Sequence, residues 1–144
     1  LLSGCGVGFS VQWHHVNKLP VVSQRTKEAK RFVIPDSIEG WSEAVDVLMS
    51  SFFVGGGKHP EYEGHPIWFD LSQIRPRGAK ISGGFKAPGP EPLRKALDKM
   101  ETILTNVAKE ERKLKPIEAY DICMHLADSV IAGGVNNLAS VKAL

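Results

Sequence analysis

The chain has 144 residues, of which 42% are hydrophobic and 24% charged, so it is long enough to bury one core, and this composition excludes collagen, coiled coils and wholesale disorder. Its 18 Lys and Arg residues against 16 Asp and Glu residues leave a net charge of +2, which excludes a strong field for nucleic acid or an anionic membrane. Two cysteines outside any C-x-x-C pair, and no apolar run near the roughly 20 residues of a membrane span, favour a cytoplasmic protein.

Both ends of the chain suggest an interrupted sequence. Residue 1 is a leucine that leads directly into a glycine-rich turn, and the last two residues, Ala143 and Leu144, form no polar tail. We therefore expect residues 1–144 to be a single partial domain of a larger globular protein.

The first predicted element is a strand over residues 7–11, where apolar side chains alternate after a tight turn. Gly4, Gly6 and Gly8 occupy every second position, which either permits close approach of the backbone to another group or marks a bend in the strand. The spacing G-x-G-x-G differs from the dinucleotide fingerprint G-x-G-x-x-G, which opens a helix. A Rossmann cofactor site is therefore not expected.

The best-marked predicted helix follows a charged stretch, residues 24–31, that is expected to be a surface connection. Asp36 is predicted to be the N-cap of this helix, with Glu39 three residues later as in a capping box. A glycine triplet stops the helix near Phe53. Its apolar residues recur at helical spacing: Ile38, Trp41, Val45, Leu48 and Phe52.

A buried strand is predicted next, over the short apolar run 67–71, with Asp70 embedded in it. The following stretch, residues 75–90, is too rich in glycine and proline for regular structure and is predicted to be a long loop. Cationic groups and backbone N–H groups in this loop can hold a phosphate, but a solvated basic loop is equally consistent. The residues concerned are Arg75, Arg77, Gly78, Lys80, Gly83 and Gly84.

Two helices complete the predicted order strand, helix, strand, helix, helix, which defines an α/β protein. The first begins near Pro90 and Pro92 and carries an apolar stripe of Leu93, Leu97, Met100, Leu104 and Val107. The second begins at Pro116 and stops at Gly133 and Gly134. Its core face is predicted to consist of Ile117, Tyr120, Met124, Ala127 and Ile131.

The sequence contains no pattern typical of a metal site or a phosphate loop. The five histidines lack metal-ligand spacing with cysteine or carboxylate. The stretch 55–58, three glycines and a lysine, is followed by His59 where a phosphate loop requires Ser or Thr. Cys5 and Cys123 are predicted to be packing residues and not reactive thiols.

Six segments, read in order, resemble one family, the adenosylcobalamin-dependent (class II) ribonucleotide reductases, and within it the monomeric ribonucleoside-triphosphate reductase branch. The segments are residues 3–10 (SGCGVGFS), 34–41 (IPDSIEGW), 69–79 (FDLSQIRPRGA), 88–93 (PGPEPL), 121–123 (DIC) and 133–135 (GGV). The resemblance implies a partial segment of a ten-stranded α/β barrel. It also implies adenosylcobalamin as cofactor, a ribonucleoside triphosphate as substrate, a deoxynucleotide effector and a thioredoxin-like reductant for the parent enzyme.

The resemblance also implies the site residues. Gly6 and Gly8 correspond to the strand whose backbone lies against the substrate nucleotide. Gln12, His14 and His15 fall in the first effector-specificity loop. The second loop corresponds to Gly133, Gly134, Val135 and Asn136.

This chain departs from the family in ways that bear on its function. The family usually has two arginines followed by serine and alanine after the last Gly-Val, whereas residues 136–140 read NNLAS. The radical cysteine, the acid/base carboxylate, the C-terminal cysteine pair and the cobalamin site match no position, so no catalytic or metal-binding residue is expected. Two alternatives stay open: the large subunit of a cobalamin-independent reductase, and a noncatalytic nucleotide-binding module.

Overall fold

The architecture is that of a computed structural model, which describes residues 18–81 and 85–131. The elements are β1 (Lys30–Val33), α1 (Ile38–Phe52), β2 (Ile67–Asp70), β3 (Lys80–Ile81), β4 (Phe85–Lys86), α2 (Glu91–Lys109) and α3 (Pro116–Ile131). This mixture of strands and helices confirms the α/β prediction. The strand predicted at residues 7–11 lies outside the described residues. No helix in the described ranges is long and apolar enough to cross a membrane.

Strand β1, helix α1 and strand β2 form a βαβ unit in which the two strands pair in parallel, Lys30 opposite Ile67 and Val33 opposite Asp70. The prediction of a surface connection over residues 24–31 is wrong where it overlaps β1. Lys30 and Arg31 make this strand look polar, yet Phe32 packs edge-on against Phe69, with ring centroids 6.1 Å apart. Pairing and packing with β2 therefore outweigh the local polarity.

Helix α1 begins one residue later than the predicted cap implies. The Ser37 hydroxyl accepts a hydrogen bond from the Gly40 N–H at 3.0 Å, which makes Ser37 the N-cap. Asp36, the predicted N-cap, accepts a hydrogen bond from Arg75 at 2.6 Å instead. The predicted end near Phe53 is confirmed, since α1 ends at Phe52.

The glycine- and proline-rich stretch after β2 contains a small antiparallel hairpin, β3 and β4, so the prediction of a loop without regular structure is wrong there. The Gly78 N–H donates to the Ala87 carbonyl at 2.9 Å, and the Ala87 N–H donates to the Ala79 carbonyl at 2.7 Å. Gly78 adopts φ +89°, a left-handed conformation that glycine accepts without steric cost. The turn that opens the hairpin depends on this residue.

The apolar stripe predicted for α2 is confirmed. Leu93, Leu97, Met100, Leu104 and Val107 are all buried, with at most 3% of each residue exposed. They belong to one hydrophobic cluster that also includes Leu48 of α1, Leu71 after β2 and Ile122 of α3. Helix α2 is therefore the centre on which the βαβ unit and α3 pack.

The core face predicted for α3 is wrong at three of its five residues, whereas Ala127 is half-buried and the side chain of Ile131 lies outside the described residues. Ile117, Tyr120 and Met124 are 63%, 47% and 42% exposed, whereas Ile122 and Leu126 are 4% and 3% exposed and belong to the core. Apolar residues occur on both faces of this helix, so helical spacing alone does not select the face that packs on α2. The face with Ile122 and Leu126 also carries Ser129, whose buried hydroxyl donates to the Leu126 carbonyl at 2.6 Å.

Candidate functional site

The site residues implied by the family resemblance all lie outside the described residues. They are Gly6, Gly8, Gln12, His14, His15, Gly133, Gly134, Val135 and Asn136. The described structure begins and ends close in sequence to the two predicted effector loops, because its first residue is Lys18 and α3 ends at Ile131. It therefore shows what anchors the chain next to both predicted effector segments.

The carboxyl ends of β1 and β2 lie side by side, as in the ligand-binding edge of parallel α/β sheets. Asp70, the last residue of β2, forms an ion pair with Arg31 of β1 and accepts a hydrogen bond from the Ser72 N–H at 2.9 Å. The Arg31 hydrogen bond, helped by Ser72, holds the pKa of Asp70 well below its usual range. Asp70 is thus a fixed carboxylate that accepts hydrogen bonds and does not supply a proton near neutral pH.

Trp68 of β2 is the most exposed large apolar side chain beside this ion pair, with 64% of the residue exposed. The Arg31 guanidinium lies 5.5 Å from the centroid of its ring, within the range of a cation–π contact. The arrangement offers an aromatic face next to a paired cation. The sequence signal for this exposed surface was weak, because Trp68 lies within an apolar run that predicted a buried strand.

The structure bears on both interpretations of the basic loop after β2. The Gly78 and Ala79 N–H groups donate to the Ala87 and Pro76 carbonyls at 2.9 and 3.2 Å, so these amides are not available to a phosphate. Arg75 is paired with Asp36. Arg77 and Lys80 are exposed and form no ion pair within the described part of the chain. Of the groups proposed to hold a phosphate, only the cationic side chains of Arg77 and Lys80 are free of an ion pair in the described structure. Gly83 and Gly84 lie outside the described residues.

A short extended segment, residues 21–23, is held from two sides. On one side it meets the end of α1: the Ser23 N–H donates to the Phe52 carbonyl at 2.8 Å, and Val22 forms an antiparallel bridge with Phe53. On the other side the Val22 N–H donates to the Arg112 carbonyl at 3.0 Å. Val22 itself is fully buried. We call residues 21–23 the anchor segment.

Arg25 extends this attachment to α2. Its guanidinium carbon lies 4.0 Å from the Phe52 ring centroid and one of its nitrogens lies 3.6 Å from Glu101. Burial lowers the pKa of Arg25, against the opposing effect of Glu101. Its Nη1 atom has no hydrogen-bond partner in the described structure. This side chain therefore connects the chain after the anchor segment to the end of α1 and to the middle of α2.

The turn between α2 and α3, residues 110–115, contains Arg112, which forms ion pairs with two carboxylates, and we call it the junction turn. Arg112 Nη1 and Nη2 donate to Glu118 Oε1 and Oε2 at 2.7 and 2.8 Å, a two-pronged pair, and Arg112 Nε donates to Glu110. Glu118 also accepts the Lys115 N–H at 2.8 Å, which caps the first turn of α3. Glu111 adopts φ +48°, an uncommon conformation for a residue other than glycine.

The Arg112–Glu118 pair predicts a pH-dependent stability. The Arg112 hydrogen bonds lower the pKa of Glu118, with the Lys115 N–H acting in the same direction. A carboxylate with a lowered folded pKa stabilises the fold above its unfolded pKa and loses that contribution as the pH falls. We expect Glu118→Gln to lower the free energy of unfolding by about 1–2 kcal/mol at pH 7 and by progressively less below pH about 4.3. Urea unfolding between pH 3 and pH 7 measures this, and a deficit independent of pH would contradict it.

Cys123 is not a reactive thiol in the described structure. Burial raises its pKa to about 11, so the thiol stays protonated near neutral pH, as expected for a packing residue. Among the described residues, no three His, Cys, Asp or Glu side chains converge to hold a metal ion.

Comparison with known proteins decides the family. Residues 9–104 match the family model described as "B12-dependent ribonucleotide reductase, insertion domain". The chain belongs to the B12-dependent ribonucleotide reductase family. The resemblance read from the sequence motifs is therefore confirmed, whereas the match to an insertion domain was not predicted.

Relatives in this family are much longer than the chain. The adenosylcobalamin-dependent ribonucleoside-triphosphate reductase of Lactobacillus gasseri is 31% identical over 176 residues, which covers 98% of this chain and 23% of the relative. The enzyme of the same name from Lactobacillus leichmannii is 30% identical over 172 residues, with the same coverage. The chain thus spans about a quarter of these relatives. Both alignments are longer than the 144 residues of this chain, so each relative has additional residues within the matched span.

A solved structure matches the fold as well. The crystal structure of a B-12 dependent (class II) ribonucleotide reductase superposes with a TM-score of 0.73 and 28% sequence identity, covering 88% of this chain and 21% of that chain. The α/β arrangement of the described residues is therefore the arrangement of a segment of this family of enzymes.

Proposed function

We propose that this chain is a segment of a cytoplasmic adenosylcobalamin-dependent ribonucleoside-triphosphate reductase. Within it, residues 1–144 form a partial domain that supplies the effector-specificity region and one wall of the substrate site. The observation that carries the proposal is the alignment of 98% of the chain with enzymes of that name at 30–31% identity. The parent enzyme replaces the ribose 2′-hydroxyl of a ribonucleoside triphosphate with hydrogen, and a thioredoxin-like dithiol is its reductant.

The described residues do not fit the cofactor itself. In this family, adenosylcobalamin supplies the radical that starts the reaction. That radical is passed to a cysteine, which becomes a thiyl radical. Cys123, the cysteine within the described residues, is half-buried, and its thiol pKa is raised to about 11. No charged side chain of the described residues lowers that pKa, as activation of the thiol would require. We therefore assign neither the radical step nor cobalamin binding to this part of the chain.

Nucleotide contact is the role we assign to this segment. Gly6 and Gly8 bring backbone against the substrate, and Gln12, His14 and His15 belong to the first effector loop. Gly133, Gly134, Val135 and Asn136 form the second loop. Two features support this role. The parallel strands β1 and β2 have adjacent carboxyl ends, where α/β folds bind ligands. The segments that adjoin both loops in sequence are held in the fold, the anchor segment by hydrogen bonds and α3 by its buried face. The proposed parent fold is a ten-stranded α/β barrel, to which this chain contributes a segment.

Hydrogen exchange of the full-length reductase that carries this segment tests the nucleotide role. We expect a deoxynucleoside triphosphate to slow amide exchange in peptides that contain residues 12–17 and 133–136, because a ligand that binds the native state suppresses local opening. Peptides over residues 59–66 are the internal control and should not change. Each of the four deoxynucleoside triphosphates is tried separately. Protection by none of them, or protection confined to other parts of the protein, would contradict the role.

A further inference from the structure

The anchor segment and α3 lead directly to the two predicted effector loops. Val22 lies five residues after Asn17, the end of the first loop, and Gly133 lies two residues after Ile131, the end of α3. Each loop therefore has a firmly attached neighbour in the described structure. Any change at one neighbour reaches its loop through only a few residues of chain.

The junction turn connects these two neighbours. Its Arg112 carbonyl accepts the Val22 N–H at 3.0 Å, and the Arg112 side chain holds Glu118 in the first turn of α3 at 2.7 and 2.8 Å. One residue thus contacts the anchor segment through its backbone and α3 through its side chain. The Arg112 and Glu118 side chains are 26% and 21% exposed, so the pair is only partly screened by solvent.

Helix α3 is suited to carry a displacement from this turn to the second loop. It has 16 residues, a length of about 24 Å, and its buried face packs against α2 through Ile122 and Leu126. A helix fixed at its first turn moves as one body, so the orientation of its last turn follows the geometry of the junction turn. In sequence, the predicted second loop begins two residues after that last turn.

We infer that Arg112 is a positioning residue for allosteric communication: its two-sided contact couples the anchor segment, which follows the first effector loop in sequence, to α3, which precedes the second. The inference rests on the proposed function, because the loops are assigned there. In this inference Arg112 acts through the anchor segment and α3, and not through contact with nucleotide. Its loss should therefore weaken the coupling between effector and substrate and leave reduction without effector intact.

The variant Arg112→Lys in the full-length reductase tests this inference. Lysine keeps the positive charge and lacks the planar fork that holds both Glu118 oxygens. The measured quantity is the factor by which a deoxynucleoside triphosphate changes the ratio of kcat/KM between two ribonucleoside triphosphates. We expect that factor to fall about fivefold or more, which is the lower range of allosteric couplings, with effector-free kcat/KM within about twofold of the wild type.

Two further variants make the test specific. Glu118→Gln removes the charge from the other side of the pair and should reproduce the loss of coupling; it also provides the measurement if Arg112→Lys fails to fold. Arg94→Lys is the matched control, since Arg94 pairs with Glu91 at 3.1 Å on the exposed first turn of α2, away from the junction turn. It should leave both coupling and turnover unchanged.

The outcomes separate the inference from the proposed function. Unchanged coupling in Arg112→Lys and Glu118→Gln, with a wild type that responds to effector, would overturn the inference alone. A parallel fall of coupling and effector-free turnover would overturn it too, because that pattern indicates a merely structural role. A wild-type enzyme with no response to any deoxynucleotide would overturn the effector role of the segment and, with it, the inference.

Discussion

Ile122→Ala should lower the free energy of unfolding of the chain by about 2–4 kcal/mol, the cost of a cavity in a well-packed core. Ile122 is 4% exposed and belongs to the hydrophobic cluster between α3 and α2. Its truncation removes buried apolar contacts that no neighbour replaces. Urea unfolding at pH 7 measures the change.

The same substitution at Ile117 provides a matched control on the same helix. Ile117 is 63% exposed, so Ile117→Ala should change the free energy of unfolding by no more than about 0.5 kcal/mol. The comparison isolates burial, because residue type, helix and substitution are identical. Equal costs at the two positions, or a larger cost at Ile117, would contradict the packing of α3 through the face that carries Ile122.

Gly8→Val should lower kcat/KM of the full-length reductase for a ribonucleoside triphosphate by about 100-fold or more. In the proposed function, the backbone of Gly8 lies against the substrate nucleotide, so a branched side chain would fill the space that the substrate occupies. A displacement of about 1 Å at the reacting centre is enough for a loss of this size. Steady-state kinetics with saturating effector measures it.

A second glycine serves as the control for Gly8. Gly55 lies in the exposed stretch after α1 with φ +60°, and a Cβ added there would meet nothing within 4 Å. Gly55→Asn should leave kcat/KM within about twofold of the wild type, since asparagine tolerates the left-handed conformation and the position is far in sequence from both predicted loops. Full activity in Gly8→Val would instead favour the simpler explanation of the alternating glycines, a bend in a strand.

The sequence predicted helix α2 well because its apolar stripe and its environment agree. All five stripe residues face the same core, and polar residues occupy the other side. Helix α3 shows the opposite case. Ile117 and Ile122 have the same chemistry on different faces, so the choice between them depends on α2, which periodicity does not include.

The local errors have similar causes. Asp36 is the predicted N-cap because it precedes Glu39 by three residues. In the structure its carboxylate accepts a hydrogen bond from Arg75, which is distant in sequence, and Ser37 is the N-cap instead. Strand β1 was missed because Lys30 and Arg31 conceal its pairing with β2. In each case a partner far along the chain decided between local alternatives of similar free energy.

The candidate site was only partly predictable. Motifs in order along the chain were sufficient for the family, since several weak matches in register reinforce one another. The junction turn carried no recognisable signal: Arg112 lies in a charged run, residues 109–115, that is typical of a solvated turn. Its contact with Val22 joins positions 90 residues apart in numbering, which spacing rules for single elements do not address.

The most direct test of the account is the reduction of a ribonucleoside triphosphate by the full-length protein that carries this segment, with a dithiol reductant, in the presence and absence of adenosylcobalamin. The account predicts that the corresponding deoxyribonucleoside triphosphate forms only when adenosylcobalamin is present. Equal product without adenosylcobalamin would contradict it in favour of a cobalamin-independent reductase. Nucleotide binding without reduction under either condition would contradict it in favour of a noncatalytic nucleotide-binding module.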